Sequence, residues 1–477
     1  MQAVHVGILV GYLVVMVLVG AWFSRARHVS TGDDFIFAGR RLPRPVLIGT
    51  LLATWVGSGT IIGGANFAYT YGPLASMIFF AGTPVGILVL YLAAARIRAA
   101  SRYTVPELLE ARFGISARMV AAAITLLAYI GITAYQFTGG GYIISLITPL
   151  SVEQGTIVVA VIVTFLAIGG GLFSVAYTDF LSALVIVGGL LVALPLVLGG
   201  DLGGLGAYWA GLGAEQRSLS GGLSVVQLLG YFLPLFLLIL ADQNMYQRLT
   251  AARDEGTARS STIGFFLGSF LVTIPVALLA SAAAILLPDL ASADTAVLSL
   301  ASEGYLPTVV GGLVLAGALA FIVTTGSSFL LSAAGNVVYD LYTRFSRDEV
   351  TDRRRLHVHR LAVAAIAVVA YLLGQFFPTV LELQIYSYTI YGVAITPAVL
   401  AVLFWSRATK AGALSSMVVG TAVTIAWEAT GGFADVNGVL LSLPAAVLAL
   451  VVVSLLTRPS AEERQVITDA GEEPASR

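Results

Sequence analysis

Apolar residues gather into thirteen runs, near 4–24, 44–70, 74–98, 117–148, 154–173, 176–199, 222–247, 260–288, 306–343, 357–377, 380–405, 411–430 and 437–456. Each is close to the roughly 20 residues a helix needs to cross the hydrocarbon core of a bilayer. Charged residues sit in short clusters between the runs, the pattern of repeated crossings. The prediction is an all-α polytopic membrane protein of thirteen transmembrane helices. The softest boundary is Gly169-Gly170-Gly171, between the fifth and sixth spans. The first run has no Arg or Lys before it, its basic cluster follows it, and no Ala-x-Ala precedes Arg25, so it is expected to be a retained helix. Residues 457–477 are polar and acidic and are expected to form a short disordered cytoplasmic tail.

An odd number of spans puts the termini on opposite sides, and the basic residues choose which. If the loop after the first span is cytoplasmic, 24 of the 25 Lys and Arg residues fall inside and only Arg217 falls outside. A miscounted span would flip every later loop and scramble this partition. The expected location is therefore the cell (inner) membrane, with the N-terminus outside and the C-terminus inside.

Composition narrows the function. Only 11% of residues are charged, against roughly 25% in soluble domains. A net charge of −1 gives no reason to expect a nucleic-acid partner; lipids are the expected surroundings. With no cysteine, disulfides and thiol chemistry are excluded. Four scattered histidines form no ligand spacing, and apart from Asp179 and Asp242 the spans lack the paired carboxylates an enzyme would need. A transporter remains.

Three places break the apolar pattern, and mid-span polar groups need a reason. The second span carries Gly57, Gly59, Gly63 and Gly64 within eight residues, each weakening a helix by about 1 kcal/mol relative to Ala. An unwound segment there would free carbonyls for a cation; close helix packing at Gly59 and Gly63 explains the glycines equally well. The ninth span carries Thr324, Thr325, Ser327 and Ser328, with Thr324, Ser327 and Ser328 on one face. These are hard oxygen donors suited to an alkali cation, or hydroxyls bonded back to their own helix. Asp179, near the inner end of the sixth span, either caps its helix or ligates a cation.

Taken in order, these segments resemble the sodium:solute symporter family. The likeness also includes Gly39-Arg40-Arg41-Leu42 before the second span, the Gly-Gly-Leu-x-x-Val-x-x-Thr-Asp stretch ending at Asp179, and Tyr246-Gln247-Arg248 closing the seventh. The hydroxyl cluster stands before Tyr339-Asp340-Leu341-Tyr342, as the family pattern requires. The resemblance implies a leucine-transporter-like fold. Residues 1–24 form an N-terminal helix. Two inverted five-helix repeats, about 44–199 and 222–405, form a core within 25–405, and 406–456 add two helices. The second and seventh spans would be broken at mid-membrane. It implies a coupling sodium held by the carbonyls of Ala53, Val56 and Phe321 and the hydroxyls of Thr324 and Thr325. A second sodium at Asp179, Thr324, Ser327 and Ser328 is left open.

For the solute, the resemblance implies Trp55, Gly57 and Thr60 on the second span and Asp242, Gln243 and Tyr246 on the seventh, with Tyr135 and Gln136 further candidates. The segment from Ala53 to Gly57 is similar to high-affinity choline transporters, but Asp242 stands where those carry a cage tryptophan. Asp242 would then pair with an amine, or simply with Arg248; Trp55 lines the site or packs. The expected function is sodium-coupled symport of a small organic solute into the cell, with oligomeric state undefined. Proton coupling through Asp179 and a passive channel are the alternatives.

Overall fold

Water is absent from the bilayer core, so a spanning chain must close its backbone hydrogen bonds internally, and helices do this segment by segment. The computed structural model describes residues 2–23, 38–100, 104–169, 172–346, 351–430 and 436–459. These residues are helical almost throughout, with a lone bridge between Leu42 and Ala252. The arginines expected at positions 25, 27, 102, 347, 464 and 477, Gly170 and Gly171 of the glycine run, and the tail from residue 460 lie outside the described residues.

The helices run in order: α1 Gln2–Phe23, α2 Arg44–Trp55, α3 Gly59–Tyr71, α4 Pro73–Ala100, α5 Val105–Phe113, α6 Ile115–Ile147 and α7 Val152–Gly169. They continue with α8 Leu172–Pro195, α9 Val225–Ala241, α10 Gln243–Thr250, α11 Glu255–Leu286 and α12 Ala296–Ser302. The last are α13 Thr308–Gly335, α14 Asp352–Gly374, α15 Val380–Phe404, α16 Lys410–Ala429 and α17 Val439–Leu456. Among the described residues ten helical segments are long and apolar enough to cross a membrane, and α2 with α3 makes an eleventh as a pair bent by 60°. The sequence predicts thirteen. The remaining two correspond to α1 and α7, whose described apolar stretches, Ala3–Met16 and Val152–Ile168, are shorter. Helix α7 is described as far as Gly169, the first residue of the glycine run that made the boundary between the fifth and sixth spans soft.

Helix α13 is central: it packs against α1, α6, α7 and α8 and also touches α2. Helix α2 lies among α8, α11 and α13, while α15 packs on α6 and α9, and α16 and α17 pack on each other and on α15. Small residues permit the closest approaches. A Cβ at Gly57 would stand 2.6 Å from the Gln136 amide nitrogen, and one at Gly59 would stand 2.8 Å from the Gln384 amide.

One end of the bundle carries most of the bases. There Arg112, buried in the last turn of α5, donates to the carbonyls of Ala401 (2.7 Å), Trp405 (2.8 Å), Ser406 (2.7 Å) and Ala408 (3.1 Å). These carbonyls lie at and just beyond the end of α15, where the helix dipole also favours a cation, and those of Ala401 and Trp405 accept a backbone amide as well. Arg112→Gln is expected to destabilise the fold by about 3 kcal/mol, since several buried carbonyls lose a charged donor. A thermal melt in detergent checks this; an unaltered melt would show that the cap is dispensable. Nearby, Asp340 accepts from Arg118 at 2.7 Å and from Thr104 at 3.1 Å, and Arg118 also pairs with Glu110.

At the opposite end, Asp294 lies in a turn between α11 and α12. It accepts from Asn66 of α3 at 2.8 Å and from the Val380 amide at the start of α15 at 2.9 Å. Burial raises its carboxyl above the ordinary carboxylate range, and the bonds from Val380, Asn66 and Tyr142 pull it part of the way back.

Candidate functional site

The bend between α2 and α3 comes from a local change of hydrogen bonding. Val56 caps α2 in an extended conformation, and the amides of Thr60 and Ile61 bond to Gly57 rather than continuing the α2 ladder. Carbonyls at the end of α2 are thereby released. Thr325 of α13 donates to two of them, Ala53 at 3.0 Å and Val56 at 3.3 Å, from a side chain only 2% exposed. Thr324 beside it donates to the Phe321 carbonyl at 3.2 Å. The five oxygens named from sequence therefore lie on two touching helices, α2 and α13. They are neutral hard donors, the set a small alkali ion takes.

The ninth-span hydroxyls divide between the two readings open at the sequence level. Thr324 and Ser327 bond back to carbonyls three residues earlier, whereas Thr325 reaches across to α2 and Ser328 receives a bond from Arg248.

One turn along α13 lies a second cluster. Asp179 is about two turns inside α8, so it does not cap that helix. Its Oδ2 accepts from Thr50 at 2.7 Å and from Arg248 at 3.3 Å, with both charged residues 1% exposed. Arg248 also donates to Thr50 at 3.0 Å, Ser328 at 3.2 Å and the Asn244 carbonyl at 3.3 Å. Thr324 stands beside the same carboxylate. Of the residues expected around a second sodium, Asp179, Thr324 and Ser328 meet here with the Arg248 guanidinium among them, while Ser327 bonds back to its own helix.

Asp242 departs from the expected pairing with Arg248. It occupies the break between α9 and α10 and caps α10, its Oδ1 accepting from the amides of Asn244 (2.6 Å) and Met245 (3.3 Å) and from Tyr129 (3.4 Å). Arg248 has its salt bridge with Asp179 instead. The physical reason is local: a carboxylate just ahead of a helix meets free amides within its own backbone reach.

Of the other solute candidates, Trp55 packs edge-on against Phe265 with ring centres 6.2 Å apart. Gly57 faces Gln136, whose Oε1 accepts the Ser58 amide at 2.9 Å, and Thr60 donates to the Trp55 carbonyl. Gln243 donates to Asn336 and accepts the Val105 amide, while Tyr246 donates to the Leu240 carbonyl at 2.6 Å. Helix α6 serves both breaks. Gln136 meets the first and Tyr129, two turns or about 10 Å away, meets the second. Tyr135 donates to Tyr388 at 3.0 Å between them.

Residues missed at the sequence level complete the region. Gln384 of α15, 2% exposed, lies against the glycine face of α3, and its Oε1 has no hydrogen-bond partner among the described residues. A glutamine between Leu383 and Ile385 inside a spanning run was a readable signal. A cavity of about 520 Å³ is lined by Asn244, Arg248, Ser328 and Ser332, together with Arg355 and His359.

Two helices interrupted within a helical membrane bundle, their ends turned toward a hydroxyl-bearing neighbour, define a secondary transporter rather than an enzyme. The chain belongs to the sodium:solute symporter family, whose model matches residues 35–420, and its coupling ion is sodium. It is 26% identical over 470 residues to the osmoregulated proline transporter of Bacillus subtilis (strain 168), covering 94% of each chain. It is 27% identical to a sodium/proline symporter of Staphylococcus aureus, covering 89% of this chain and 86% of that one. In fold it is similar to a Na+-coupled sialic acid symporter solved in a substrate-bound outward-open state. The TM-score is 0.82 at 20% identity, with 96% of this chain and 98% of that one covered.

Proposed function

We propose that this symporter carries a small organic solute into the cell with sodium by alternating access, N-terminus outside and C-terminus cytoplasmic. The contact of Thr325 with the Ala53 and Val56 carbonyls supports the ion half most directly. The carbonyls of Ala53, Val56 and Phe321 and the hydroxyls of Thr324 and Thr325 hold the ion. Its binding joins α2 to α13 and so biases the two-state equilibrium of the bundle. A membrane potential of about 100 mV adds roughly 2.3 kcal/mol per charge moved inward.

The solute half rests on the two breaks, with Trp55, Gly57 and Thr60 at one and Asp242, Gln243 and Tyr246 at the other. Gln136 and Gln384 bring amide groups to the first. An unpaired Gln384 oxygen suits a solute carrying an N–H donor. The proline transport named for two relatives makes proline the first solute to test. A cavity whose lining includes Arg248, Arg355 and His359, on the side of the basic segments, and the Asp294 contacts that join α3 to α15 at the other end support a cytoplasm-facing state.

Proteoliposomes given an inward sodium gradient are expected to accumulate labelled proline, and to stop when potassium replaces sodium. Uptake that follows a proton gradient and ignores sodium would establish Asp179 as a proton carrier instead. A non-saturating flux would indicate a channel.

A further inference from the structure

We propose that the cavity beside α10 is a binding site for an amphipathic organic anion, a carboxylate on an apolar body, and that its occupancy arrests transport. The inference goes beyond the symport reading and takes from it only the orientation of the bundle and the alternation of its two faces.

The cavity has two unlike walls. The apolar one comes from Ile168 of α7, Leu172 and Val175 of α8, and Leu331 of α13. The polar one comes from Asn244, Gln247 and Arg248 of α10 and from Arg355 and His359, which share a face of α14 at i and i+4. Two of these are arginines, which only donate, and none of the described lining residues is acidic. Asn244 uses its Oδ1 to accept from Ser332 at 2.7 Å, and its Nδ2 has no hydrogen-bond partner among the described residues. The same holds for Nε2 of His359. A wall of donors calls for an acceptor, and a carboxylate is the strong one. A bare anion would leave the other wall uncovered. At about 520 Å³ the cavity falls within the roughly 300–1,000 Å³ of small-molecule sites, so the anion carries an apolar body that covers Leu172, Val175 and Leu331.

The position makes the occupant an inhibitor. Helix α10 is the half of the second interrupted helix on the side of the basic segments, and α14 is packed on α6, α7 and α13. A molecule seated between Arg248 and Arg355 stands between a segment that alternating access must move and a wall held by three other helices. While it stays, α10 cannot swing in against α8 and α14, and the cytoplasmic face remains open. Trp55, Gly57 and Thr60 at the first break lie outside the lining, so the anion lowers the maximal rate rather than competing for solute there.

The test uses three probes with one body: 4-phenylbutyrate, its neutral amide and the cationic 4-phenylbutylamine. Equilibrium dialysis against the purified full-length protein in lipid nanodiscs, corrected for empty nanodiscs, is expected to show one site for the carboxylate. The amide is expected to bind about tenfold more weakly, the factor one charge-assisted hydrogen bond supplies, and the amine not at all. Arg355→Glu is expected to weaken carboxylate binding by the same factor or more, and Leu331→Trp, which fills the cavity, to abolish it. In proteoliposomes the carboxylate is expected to lower the maximal rate of sodium-driven proline uptake, with half-saturation for proline unchanged. Equal binding of carboxylate and amide would overturn the inference, and so would bound carboxylate that leaves uptake unaltered. If either variant fails to fold, the probe series on wild type decides alone. Absence of sodium-driven uptake would overturn the symport reading instead, while dialysis still decides the anion site.

Discussion

Thr325→Val raises the sodium concentration for half-maximal uptake by about ten- to a hundredfold in the expected outcome, with little change in the folded structure. Valine keeps the β-branched shape and removes only the hydroxyl. A hydrogen bond or ligand interaction with a charged partner is worth about 1.5–3 kcal/mol, and each 1.4 kcal/mol is a factor of ten. The position is 2% exposed and its hydroxyl stands 3.0 Å from the Ala53 carbonyl, so no water is placed to replace it. Thr325→Ser restores the oxygen and is expected to recover most of the affinity. Titrating sodium against proline uptake in proteoliposomes reads the effect. A valine variant with wild-type sodium affinity would remove Thr325 from the ion site.

Gly139→Val is expected to reduce uptake to below about a tenth of wild type and to destabilise the protein by about 1–3 kcal/mol through overpacking. Gly139 lies on α6 against Ser58, the residue that follows Gly57 in the bend. A Cβ there would stand 2.6 Å from the Ser58 Cβ and 2.8 Å from the Ile62 side chain. Real carbon contacts of this kind do not occur so close, so α6 would have to withdraw from the bend. Gln136, one turn earlier on the same face of α6, would then lose its hold on the Ser58 amide. Gly188 is the contrast, since a Cβ there meets nothing within 4 Å. Gly188→Ala in mid-helix is expected to leave uptake unchanged and to stabilise by about 0.5–1 kcal/mol. Equal uptake by the two variants would show that the approach of α6 to the bend is unimportant for transport.

The second span shows how far a one-dimensional reading reaches. Its glycines suggested both an interruption and close packing, and the structure contains both. Gly57 lies at the interruption, while Gly59 and Gly63 accommodate Gln384. The hydroxyls of α13 were readable as a face because helical geometry fixes which residues lie together. The pairing of Asp242 with Arg248 was misjudged because the nearest partners of this carboxylate are the backbone amides that follow it, and those are free only where the chain breaks. Gln384 was visible as a polar residue within an apolar span, yet nothing along the chain links it to glycines more than 300 positions away.

The sequence by itself determined that the chain crosses a membrane repeatedly as helices, because apolar length and the cost of unsatisfied backbone in lipid leave no other choice. It also determined which oxygens α13 offers on each face, through the fixed helical repeat. Only the tertiary structure decided that α2 and α13 touch, that Arg248 joins Asp179 rather than Asp242, and that Gln136 and Gln384 enclose the bend. Periodicity orients a side chain around its own axis; which neighbouring helix meets it depends on packing among residues far apart in the chain.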